Sequence, residues 1–536
     1  METIADLLFH AAKTCGDTRI YCPEGEVTYR EIESETRRVA AGLKTIGVGP
    51  GDRVGLWLPN LKAYIGLYGA CCRLGAIGVA MNTRFRRAEI EDVLRRARPK
   101  VVAFVPEIGR ANHIEILREV DPELLTGVGT MVQCTGDPVD VPGVSVKQYA
   151  DLAHKAPFDD TLGRPDSPCA IFTTSGTTSL PKLVLHNQAQ VARHSDDVAR
   201  VLEMEKPETM VLQSLPFCGV FGYVYLMATL RAGAPSVMPM VFEAAECAEL
   251  MLRHEVTHVA GGDDMMTRLL SEGDQLTSGA HIPFPALRFC PYATFNSALA
   301  DFPETAYRRG LPLVGPFGMS EVFSFFSLRR MDDPENLRPE GGGVPVNRSA
   351  RVRVRDPETN ELLGDGKEGE LEMWSPNMFV GYYGNEDATR EALTDDGYLR
   401  TGDLGTTQND GTFTYLGRMG DVLRLGGFLV NPLEIETHLC AHSAVADAQV
   451  VGVGTERGNK PVAFVISEPD RSPDEDDLIA HCKAALAGFK IPIRIFLVDQ
   501  FPTTPSPNGT KIQKGELRRM AEDALNSQPV TTGMRP

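Results

Sequence analysis

The chain has 536 residues, of which 42% are hydrophobic and 24% are charged, and its formal net charge is −18 at pH 7. One hydrophobic core does not normally organise a chain of this length, so we expect two or more domains. The negative charge argues against a nucleic-acid binder, because neutralising phosphates requires clustered lysine and arginine.

Cysteine usage and targeting signals indicate the compartment. Eleven cysteines, scattered without the spacing of a disulfide framework, are typical of reduced thiols. The acidic start Met1-Glu2-Thr3-Ile4-Ala5-Asp6 lacks the basic region and long apolar core of a signal peptide. The uncharged stretch 209–230 is long enough to span a bilayer, but prolines, glycines and polar residues interrupt it. We therefore expect a soluble, cytoplasmic protein without an integral membrane segment.

Helix and strand patterns alternate through the first few hundred residues. They predict an amphipathic helix over 28–43, a strand over 53–58, a helix over 63–74 and a strand over 77–81. The run Gly47-Val48-Gly49-Pro50-Gly51-Asp52 ends the first helix, because glycine and proline favour turns. This alternation predicts βαβ units and largely parallel sheets, and hence an α/β fold.

The segment 173–182 follows a predicted buried strand over 169–172 and combines six hydroxyl side chains, one glycine and a lysine. Hydroxyls and turn-exposed N–H groups donate to phosphate oxygens, Gly176 permits close backbone approach, and Lys182 adds a positive charge. An isolated Ser/Thr-rich segment is equally well a surface turn. It is not a Walker A loop, because no glycine directly precedes Lys182 and Leu183 follows it.

The pair His254 and His258 matches the zinc-protease pattern H-E-x-x-H, which requires both histidines on one helical face. The β-branched residues after Glu255 instead predict a strand entered from a preceding helix. We therefore interpret this match as a helix-to-strand junction rather than a metal site.

A composition shift near 415–421 marks the start of a compact α+β unit of about 100 residues, a common domain size. Its predicted first helix, over 432–439, has Asn431 as cap and Pro432 at the first position. The further predicted elements are strands over 448–453, 461–466 and 493–498 and a helix over 474–486. Gly420 is the predicted hinge, and 526–536 is predicted to be a flexible tail.

Four more motifs follow the hydroxyl-rich segment in order. They are Phe317-Gly318-Met319-Ser320-Glu321, Tyr398-Leu399-Arg400-Thr401-Gly402-Asp403, Gly417-Arg418, and the run Asn508-Gly509-Thr510-Lys511-Ile512-Gln513-Lys514-Gly515-Glu516-Leu517-Arg518. With 173–182 they resemble the adenylate-forming superfamily, which contains acyl-CoA synthetases, luciferases and peptide-synthetase adenylation domains. Ser179 and Leu183 depart from that family's glycine-rich phosphate loop. The segments Gly51-Asp52-Arg53-Val54, Pro59-Asn60 and Leu74-Gly75-Ala76 look most like the acyl-CoA synthetase branch.

The resemblance implies a nucleotide site. ATP phosphates would contact Thr173, Thr174, Ser175, Gly176, Thr177, Thr178 and Lys182, and adenine would contact Phe317, Gly318, Met319 and Ser320, with Ala293, Thr294 and Phe295. Asp403 would accept both ribose hydroxyls, which suits a group with two acceptor oxygens, and Arg418 would contact ribose or phosphates. Alone, Asp403 is equally a turn residue and Arg418 a surface ion pair.

The resemblance also implies the catalytic and metal groups. Glu321 and Thr174 would hold Mg²⁺, a cation that prefers hard oxygen ligands. Lys511 would stabilise charge on the attacking carboxylate and the α-phosphate, although a solvated lysine is the simpler interpretation of that position alone. We rank it above Lys514, because the residues after it keep register with the motif. Gly426 and Gly427 would lie beside the pantetheine of coenzyme A.

The acyl site is the least specified part. Residues 215–222 resemble the family's L-P-x-x-H-x-x-G gate segment, with Gly219 where histidine or a bulky residue is common. The predicted substrate-binding residues are His186, Phe217, Gly219, Phe221, Gly222 and Gly315. With the aromatic run 323–326 as further walls they suggest a hydrophobic acid with room for bulk, although such aromatics are equally ordinary core.

The implied fold has a large N-terminal domain, residues 1–419, with two layered β-sheets, helices and a distorted β-barrel. A small mobile α+β domain, residues 420–525, rotates between two half-reactions. The implied activity is an ATP-dependent acyl-CoA synthetase acting through acyl-AMP and pyrophosphate. The alternatives are an enzyme that stops at acyl-AMP or passes it to a carrier protein, and a nucleotide-binding member with weakened catalysis. We expect a monomer or homodimer.

Overall fold

A computed structural model describes residues 2–109, 111–173, 181–294, 299, 301–419, 423–425, 428–430, 432–455, 458–506 and 509–526. Within these ranges the side chains of 424, 428, 429, 458, 505, 506, 509–511 and 526 lie outside the description. Several predicted site residues therefore lie outside the described residues: Thr174, Ser175, Gly176, Thr177, Thr178, Phe295, Gly420, Gly426 and Gly427. So do Ser179, which replaces a family glycine, and the predicted cap Asn431.

The described helices, in chain order, are α1 Ile4–Thr14, α2 Tyr29–Thr45, α3 Lys62–Leu74, α4 Arg87–Ala97, α5 His113–Glu119, α6 Pro122–Thr126, α7 Tyr149–Ala153, α8 Gln188–Val201, α9 Val220–Ala232, α10 Ala244–Arg253, α11 Asp263–Leu276, α12 Phe302–Arg308, α13 Glu386–Ala392, α14 Pro432–Cys440, α15 Glu475–Ala485 and α16 Lys514–Asn526.

The described strands are β1 Arg19–Cys22, β2 Gly25–Thr28, β3 Arg53–Trp57, β4 Ile77–Ala80, β5 Val101–Phe104, β6 Glu107–Ile108, β7 Ala111–Asn112, β8 Thr130–Gln133, β9 Ser145–Gln148, β10 Pro168–Thr173, β11 Leu183–Asn187, β12 Val211–Leu212, β13 Ser236–Val237, β14 His258–Val259, β15 Gly261–Gly262, β16 Cys290–Ala293, β17 Leu313–Val314, β18 Pro316–Met319, β19 Phe323–Leu328, β20 Gly342–Pro345, β21 Arg351–Arg355, β22 Leu362–Leu363, β23 Gly369–Trp374, β24 Gly381–Tyr382, β25 Leu399–Thr407, β26 Phe413–Arg418, β27 Leu423–Leu425, β28 Phe428–Val430, β29 Val445–Thr455, β30 Gly458–Ser467, β31 Arg494–Leu497, β32 Thr503–Ser506 and β33 Gly509–Ile512.

The predicted elements lie within a few residues of the observed ones. Helix α2 begins after Thr28, whose side chain accepts a hydrogen bond from the Glu31 backbone in a reciprocal capping box. Helix α3 ends at Gly75, whose φ of 69° is left-handed and suits glycine. The boundaries of the C-terminal strands and helices also agree with the sequence pattern, except that β29 and β30 extend further as a long antiparallel pair.

The central sheet has the strand order β24-β11-β10-β4-β3-β5-β8-β9. The strands from β10 to β9 run parallel, whereas β11 and β24 are antiparallel to their neighbours. Both faces are covered. On β5, Val101 and Ala103 pack into one apolar cluster, while Val102 and Phe104 pack into the cluster on the opposite face. The strand therefore reads as a continuous apolar run, as buried parallel strands do.

A second, mostly parallel sheet has the order β14-β12-β13-β1-β2, and β15, β16 and β17 form a short parallel sheet. An antiparallel sheet of order β18-β19-β20-β26-β25-β23-β21-β22 follows, where the resemblance implies a distorted barrel. The predicted α/β class with layered sheets is confirmed. None of the described helices is long and apolar enough to cross a membrane.

The C-terminal unit has its own apolar core. On β29, Ala448 and Val450 pack with α14 and α15, whereas Val451 and Val453 pack with α16 on the opposite face. These two clusters draw their described members only from Leu423 onward. This separation supports the predicted boundary at 419/420, which remains a prediction.

Candidate functional site

The predicted phosphate segment lies at one edge of the central sheet. Strand β10 ends at Thr173, which is half-buried and pairs with Leu183 at the start of β11. Because β10 runs parallel to β4, its carboxyl end lies at the edge where open α/β sheets bind ligands. Lys182 Nζ lies 4.5 Å from the ring centroid of Tyr382. A lysine and the end of a buried strand are thus fixed at this edge.

Glu321, the predicted metal ligand, lies between β18 and β19 and is only 6% exposed. Its Oε1 accepts a hydrogen bond from the Tyr382 hydroxyl at 2.8 Å. Its backbone carbonyl accepts one from the Phe379 N–H at 2.6 Å. The segment 379–382 therefore holds both the main chain and the side chain of this carboxylate.

Asp403 and Arg418 pair directly across strands β25 and β26. Arg418 Nη1 lies 3.0 Å from Asp403 Oδ1 and donates a hydrogen bond to the Thr401 carbonyl at 2.7 Å. Asp403 Oδ1 makes no hydrogen bond of good geometry within the described chain. Arg418 is therefore an ion-pair partner that leaves this buried oxygen able to accept other donors, such as a ribose hydroxyl.

Glu321 and Arg418 both influence the pKa values of Asp403 and Tyr382. Burial raises the pKa of Asp403 to about 6, Arg418 opposes that rise, and Glu321 adds to it. Burial and Glu321 raise the pKa of Tyr382, while Arg418 lowers it. The structure thus brings together Glu321, Asp403 and Arg418, which the sequence places 97 positions apart at most. It adds Tyr382, which the sequence analysis missed.

Of the predicted adenine-contact residues, Phe317 is buried and packs against Phe413 and Tyr415, with ring centroids 5.4 Å apart in both cases. Gly318 is exposed, and a Cβ there would lie 2.4 Å from the Phe323 carbonyl oxygen. Met319 and Ser320 are half-buried. Glycine at 318 is therefore required by the close approach of the following strand.

Of the other predicted adenine residues, Ala293 ends β16 and is half-buried, and Thr294 directly after it is exposed. Gly315, assigned to the acyl site, is buried, and a Cβ there would lie 2.2 Å from the Glu340 carbonyl oxygen. Close backbone packing therefore explains why residue 315 is glycine, independently of any role in binding the acid.

Two buried histidines hold the aromatic run that follows Glu321. His186 Nε2 donates to the Ser320 carbonyl and His194 Nε2 donates to the Ser324 carbonyl, both at 2.7 Å. The ring of Phe323 stacks on both imidazoles, with centroids 3.8 Å from His186 and 4.9 Å from His194. Burial lowers the pKa of His186 to about 3 and that of His194 to about 4, so both rings are neutral at pH 7.

The backbone of this run is strained. Phe323 and Phe325 have φ of 63° and 60°, a left-handed conformation that bulky residues seldom adopt. Phe325 contacts the rings of Phe221 and Tyr225 on α9 at centroid distances of 5.2 and 6.2 Å. Phe323 and Phe325 are fully buried, so this part of the aromatic run packs in the apolar core against α9, and its role as an acyl-site wall remains a prediction.

The gate segment 215–222 is fixed by Asn60. The Asn60 amide donates to the carbonyls of Gln213 and Leu215, both at 2.9 Å, and its oxygen accepts from the Phe217 N–H at 3.0 Å. Phe217 is fully buried, so its side chain holds the segment in the apolar core. Gly219 is the N-cap of α9 and offers no side chain there. The Pro59-Asn60 pair, noted only as a family likeness, thus has a structural explanation.

Replacing Gly222 is expected to destabilise the protein, because a Cβ there would lie 2.4 Å from the Pro216 carbonyl oxygen and 2.8 Å from that of Leu215. We expect Gly222→Ala to lower the free energy of unfolding by about 1–3 kcal/mol, as overpacking does. Gly488→Ala is the control, since a Cβ there has nothing within 4 Å. Equal thermal unfolding of both variants and the parent protein would refute the close contact.

In the small C-terminal unit, the backbone of Lys511 lies in the hairpin of β32 and β33, paired with Thr504. Lys514 Nζ lies 2.7 Å from Glu436 Oε1, and the Val450 N–H also donates to that oxygen at 2.8 Å. Lys514 is thus committed to a buried carboxylate. This contact supports ranking Lys511 above it.

The H-E-x-x-H match lies at a helix-to-strand junction, as predicted. Helix α10 ends at Arg253, Glu255 has φ of 49°, and β14 begins at His258. His258 Nε2 donates to the Leu202 carbonyl at 2.7 Å, whereas the His254 ring lies against Tyr21. In the part of the chain that is described, no group of three or more His, Cys, Asp and Glu residues is arranged to hold a metal ion.

The family follows from comparison with known proteins. The model of the AMP-binding enzyme family matches residues 8–383, and that of the AMP-binding enzyme C-terminal domain matches residues 434–507. The chain belongs to the AMP-binding enzyme family. It is an AMP-forming ligase of the adenylate-forming superfamily, as its resemblance implied.

Members of the AMP-binding enzyme family similar to this chain include a feruloyl-CoA synthase of Amycolatopsis, 29% identical over 92% of this chain and 94% of its own. A sulfoacetate–CoA ligase of Cupriavidus necator is 29% identical over 92% of both chains. The crystal structure of ATP-bound MatB from Rhodopseudomonas palustris superposes with a TM-score of 0.81, at 25% identity over 97% of this chain and 99% of that one.

The donor set fits Mg²⁺ on chemical grounds. Mg²⁺ bound with nucleotides usually takes one or two protein carboxylates, with substrate phosphates and water completing the shell. Glu321 supplies one buried carboxylate, and the Tyr382 side chain links it to Lys182. An all-protein cage of several carboxylates is not needed for such a site.

Proposed function

We propose that this protein joins a carboxylic acid to coenzyme A with ATP, through an acyl-AMP intermediate. The observation that carries the proposal is the group of Glu321, Asp403 and Arg418, which Tyr382 links to Lys182 near the end of β10. It offers a ligand for a hard cation, an acceptor for a diol and a fixed positive charge within one site. These are the groups that a magnesium nucleotide requires.

In the first half-reaction, an oxygen of the substrate carboxylate attacks the α-phosphorus of ATP, and the bond to the β-phosphate breaks. Lys182 and the segment 173–182 hold the phosphates, Asp403 and Arg418 hold the ribose, and Lys511 stabilises the charge on the reacting oxygens. Glu321 and Thr174 would hold Mg²⁺, which would supply positive charge to neutralise the phosphates. The protein contributes mainly positioning and charge, with no covalent nucleophile.

In the second half-reaction, the small domain, residues 420–525, rotates about Gly420. The rotation withdraws Lys511 and brings Gly426 and Gly427 beside the pantetheine. The thiolate of coenzyme A then attacks the acyl carbon and AMP leaves. The separate apolar core of the C-terminal unit supports such a motion, since the unit carries its own stabilising contacts.

The acid proposed for this site is hydrophobic and has room for bulk. Phe221 of the gate segment packs against Phe325, and both rings are buried, while Gly219 contributes no side chain there. Feruloyl-CoA synthase among the similar proteins agrees with an aryl acid, whereas sulfoacetate–CoA ligase shows that equally similar proteins are named for a small, charged acid. The gate itself is therefore the feature to test.

Filling the gate should reverse the size preference. We expect Gly219→Trp to lower kcat/KM for large aryl or fatty acids at least ~10-fold relative to acetate, because the indole would occupy space that the acyl group needs. Thermal unfolding of the variant checks that its fold is kept. An unchanged ratio between large and small acids would remove Gly219 from the acyl pocket.

The function is tested by incubating the protein with ATP, Mg²⁺ and a panel of acids, and by following pyrophosphate release and loss of the CoA thiol separately. Both signals with a large hydrophobic acid support the proposal. Pyrophosphate without thiol loss selects an adenylating enzyme with another acceptor, such as a carrier protein. Better turnover of acetate than of any large acid would overturn the acid class. The absence of both signals with every acid of a broad panel would overturn the proposed activity.

A further inference from the structure

Tyr382 lies between Lys182, which is predicted to bind phosphate, and Glu321, the predicted metal ligand. It ends β24, the edge strand that pairs with β11 through Val184 and Tyr382. The flanking backbone groups extend this pairing, since Tyr383 N–H donates to the Leu183 carbonyl at 2.7 Å. The strand is thereby fixed to the chain that leaves the segment 173–182.

The hydroxyl and the ring of Tyr382 contact different residues. Its hydroxyl donates to Glu321 Oε1 at 2.8 Å, and its ring lies under Lys182 Nζ at 4.5 Å from the centroid. The residue is only 7% exposed, so its ring has little freedom to turn away. One side chain thus contacts both the carboxylate predicted to hold the metal and the lysine predicted to hold phosphate.

We propose that Tyr382 is a positioning residue that fixes Glu321 for the nucleotide-bound metal and Lys182 for the phosphates. The inference rests on the proposed function, because it assumes that a magnesium nucleotide occupies this edge of the sheet. It assigns a role to a residue outside the motifs that identify the family in this sequence.

The chemistry favours a phenol in this place. A neutral O–H donor orients a carboxylate while leaving its full negative charge for a cation, whereas an arginine or lysine partner would neutralise that charge. A tyrosine hydroxyl, with an ordinary pKa of about 10, is protonated at pH 7 and therefore acts as the donor in this hydrogen bond.

Tyr382 is itself held firmly. Its backbone N–H donates to Thr389 Oγ1 at 2.8 Å, and Phe379 packs edge-on against its ring at 5.1 Å between centroids. The Phe379 N–H also donates to the Glu321 carbonyl. The segment 379–382 therefore contacts Glu321 at its backbone and at its side chain. Removing the hydroxyl alone therefore leaves the backbone attachment in place.

The test compares Tyr382→Phe with Tyr383→Phe, a loss of the same atom at the next position. Binding of Mn²⁺, a paramagnetic substitute for Mg²⁺, is measured by electron paramagnetic resonance with a non-hydrolysable ATP analogue present. We expect the Mn²⁺ dissociation constant to rise about 10-fold or more in Tyr382→Phe, as loss of an outer-shell partner typically does, and to stay unchanged in Tyr383→Phe. The Mg²⁺ concentration for half-maximal pyrophosphate release should rise in parallel, with the KM for the acid unchanged.

Tyr382→Leu separates the second contact. It removes the ring from beneath Lys182, so we expect the dissociation constant of the ATP analogue to rise a further ~2- to 10-fold over Tyr382→Phe. If Tyr382→Leu fails to fold, Tyr382→Phe carries the decision. Equal Mn²⁺ binding by Tyr382→Phe and the parent protein overturns the inference while leaving the proposed function intact. Failure of the parent protein to bind the Mn²⁺–nucleotide pair overturns both.

Discussion

Lys511→Ala should lose adenylation and keep thioester formation. We expect pyrophosphate release to fall at least ~100-fold, because a charge that stabilises the reacting oxygens would be removed from the transition state. Conversion of synthetic acyl-AMP and CoA to the thioester should change little, since the rotated small domain would carry Lys511 away from the site. Rapid-quench assays of each half-reaction measure the two rates separately.

Lys483→Ala is a matched control for Lys511→Ala, because Lys483 is an exposed lysine in the same C-terminal unit. It should leave both half-reactions unchanged. Equal losses in the two half-reactions of Lys511→Ala would contradict the assigned role and indicate a general effect on the small domain. The Lys514–Glu436 contact makes Lys514→Ala a stability variant instead.

Asp403→Asn should weaken adenosine binding about 10- to 100-fold, since hydrogen bonds to a charged acceptor are worth ~1.5–3 kcal/mol. Adenosine is the preferred probe because it carries the ribose diol without phosphates that titrate. Isothermal calorimetry gives the dissociation constants. Asp395→Asn, which alters an exposed carboxyl in the same domain, should bind adenosine as the parent protein does.

The pH dependence of the same binding follows from the raised pKa of Asp403, about 6 against an ordinary 3.8. Adenosine affinity should fall as pH drops below about 6, because protonation takes away the charged acceptor. The empty protein should behave oppositely: protonating Asp403 favours the folded state, so its contribution to stability is present at low pH and lost as pH rises through about 6. A flat affinity between pH 5 and 8 in the parent protein would contradict the ribose role.

Local patterns predicted the fold well because each element carries its own signals. The predicted helices over 28–43 and 63–74 correspond to α2 and α3, and the predicted strands over 53–58 and 77–81 correspond to β3 and β4. The order and pairing of strands could not be obtained in this way. The pairing of β11 with β24, nearly 200 positions apart, depends on tertiary contacts alone.

The site was predictable where chemistry is concentrated in short motifs, as around Glu321 and Asp403. Residues that act through another residue left no such signal. Tyr382 reads as an ordinary strand aromatic, and His194 as a polar position on an amphipathic helix. Their partners, Glu321 and the Ser324 carbonyl, lie 61 and 130 positions away. Two adjacent tyrosines, Tyr382 and Tyr383, follow Gly381, and this pair was a sequence signal that could have drawn attention to Tyr382.

In the proposed reaction, the carboxylate of the acid attacks ATP at the α-phosphorus. This step is tested most directly by supplying an acid labelled with ¹⁸O in both carboxylate oxygens, with ATP, Mg²⁺ and CoA, and by analysing the products by mass spectrometry. We expect one ¹⁸O atom in each AMP and none in pyrophosphate, because the bridging oxygen of acyl-AMP stays with phosphorus when the thiolate displaces AMP. Label in inorganic phosphate, or unlabelled AMP accompanying thioester formation, would contradict this step.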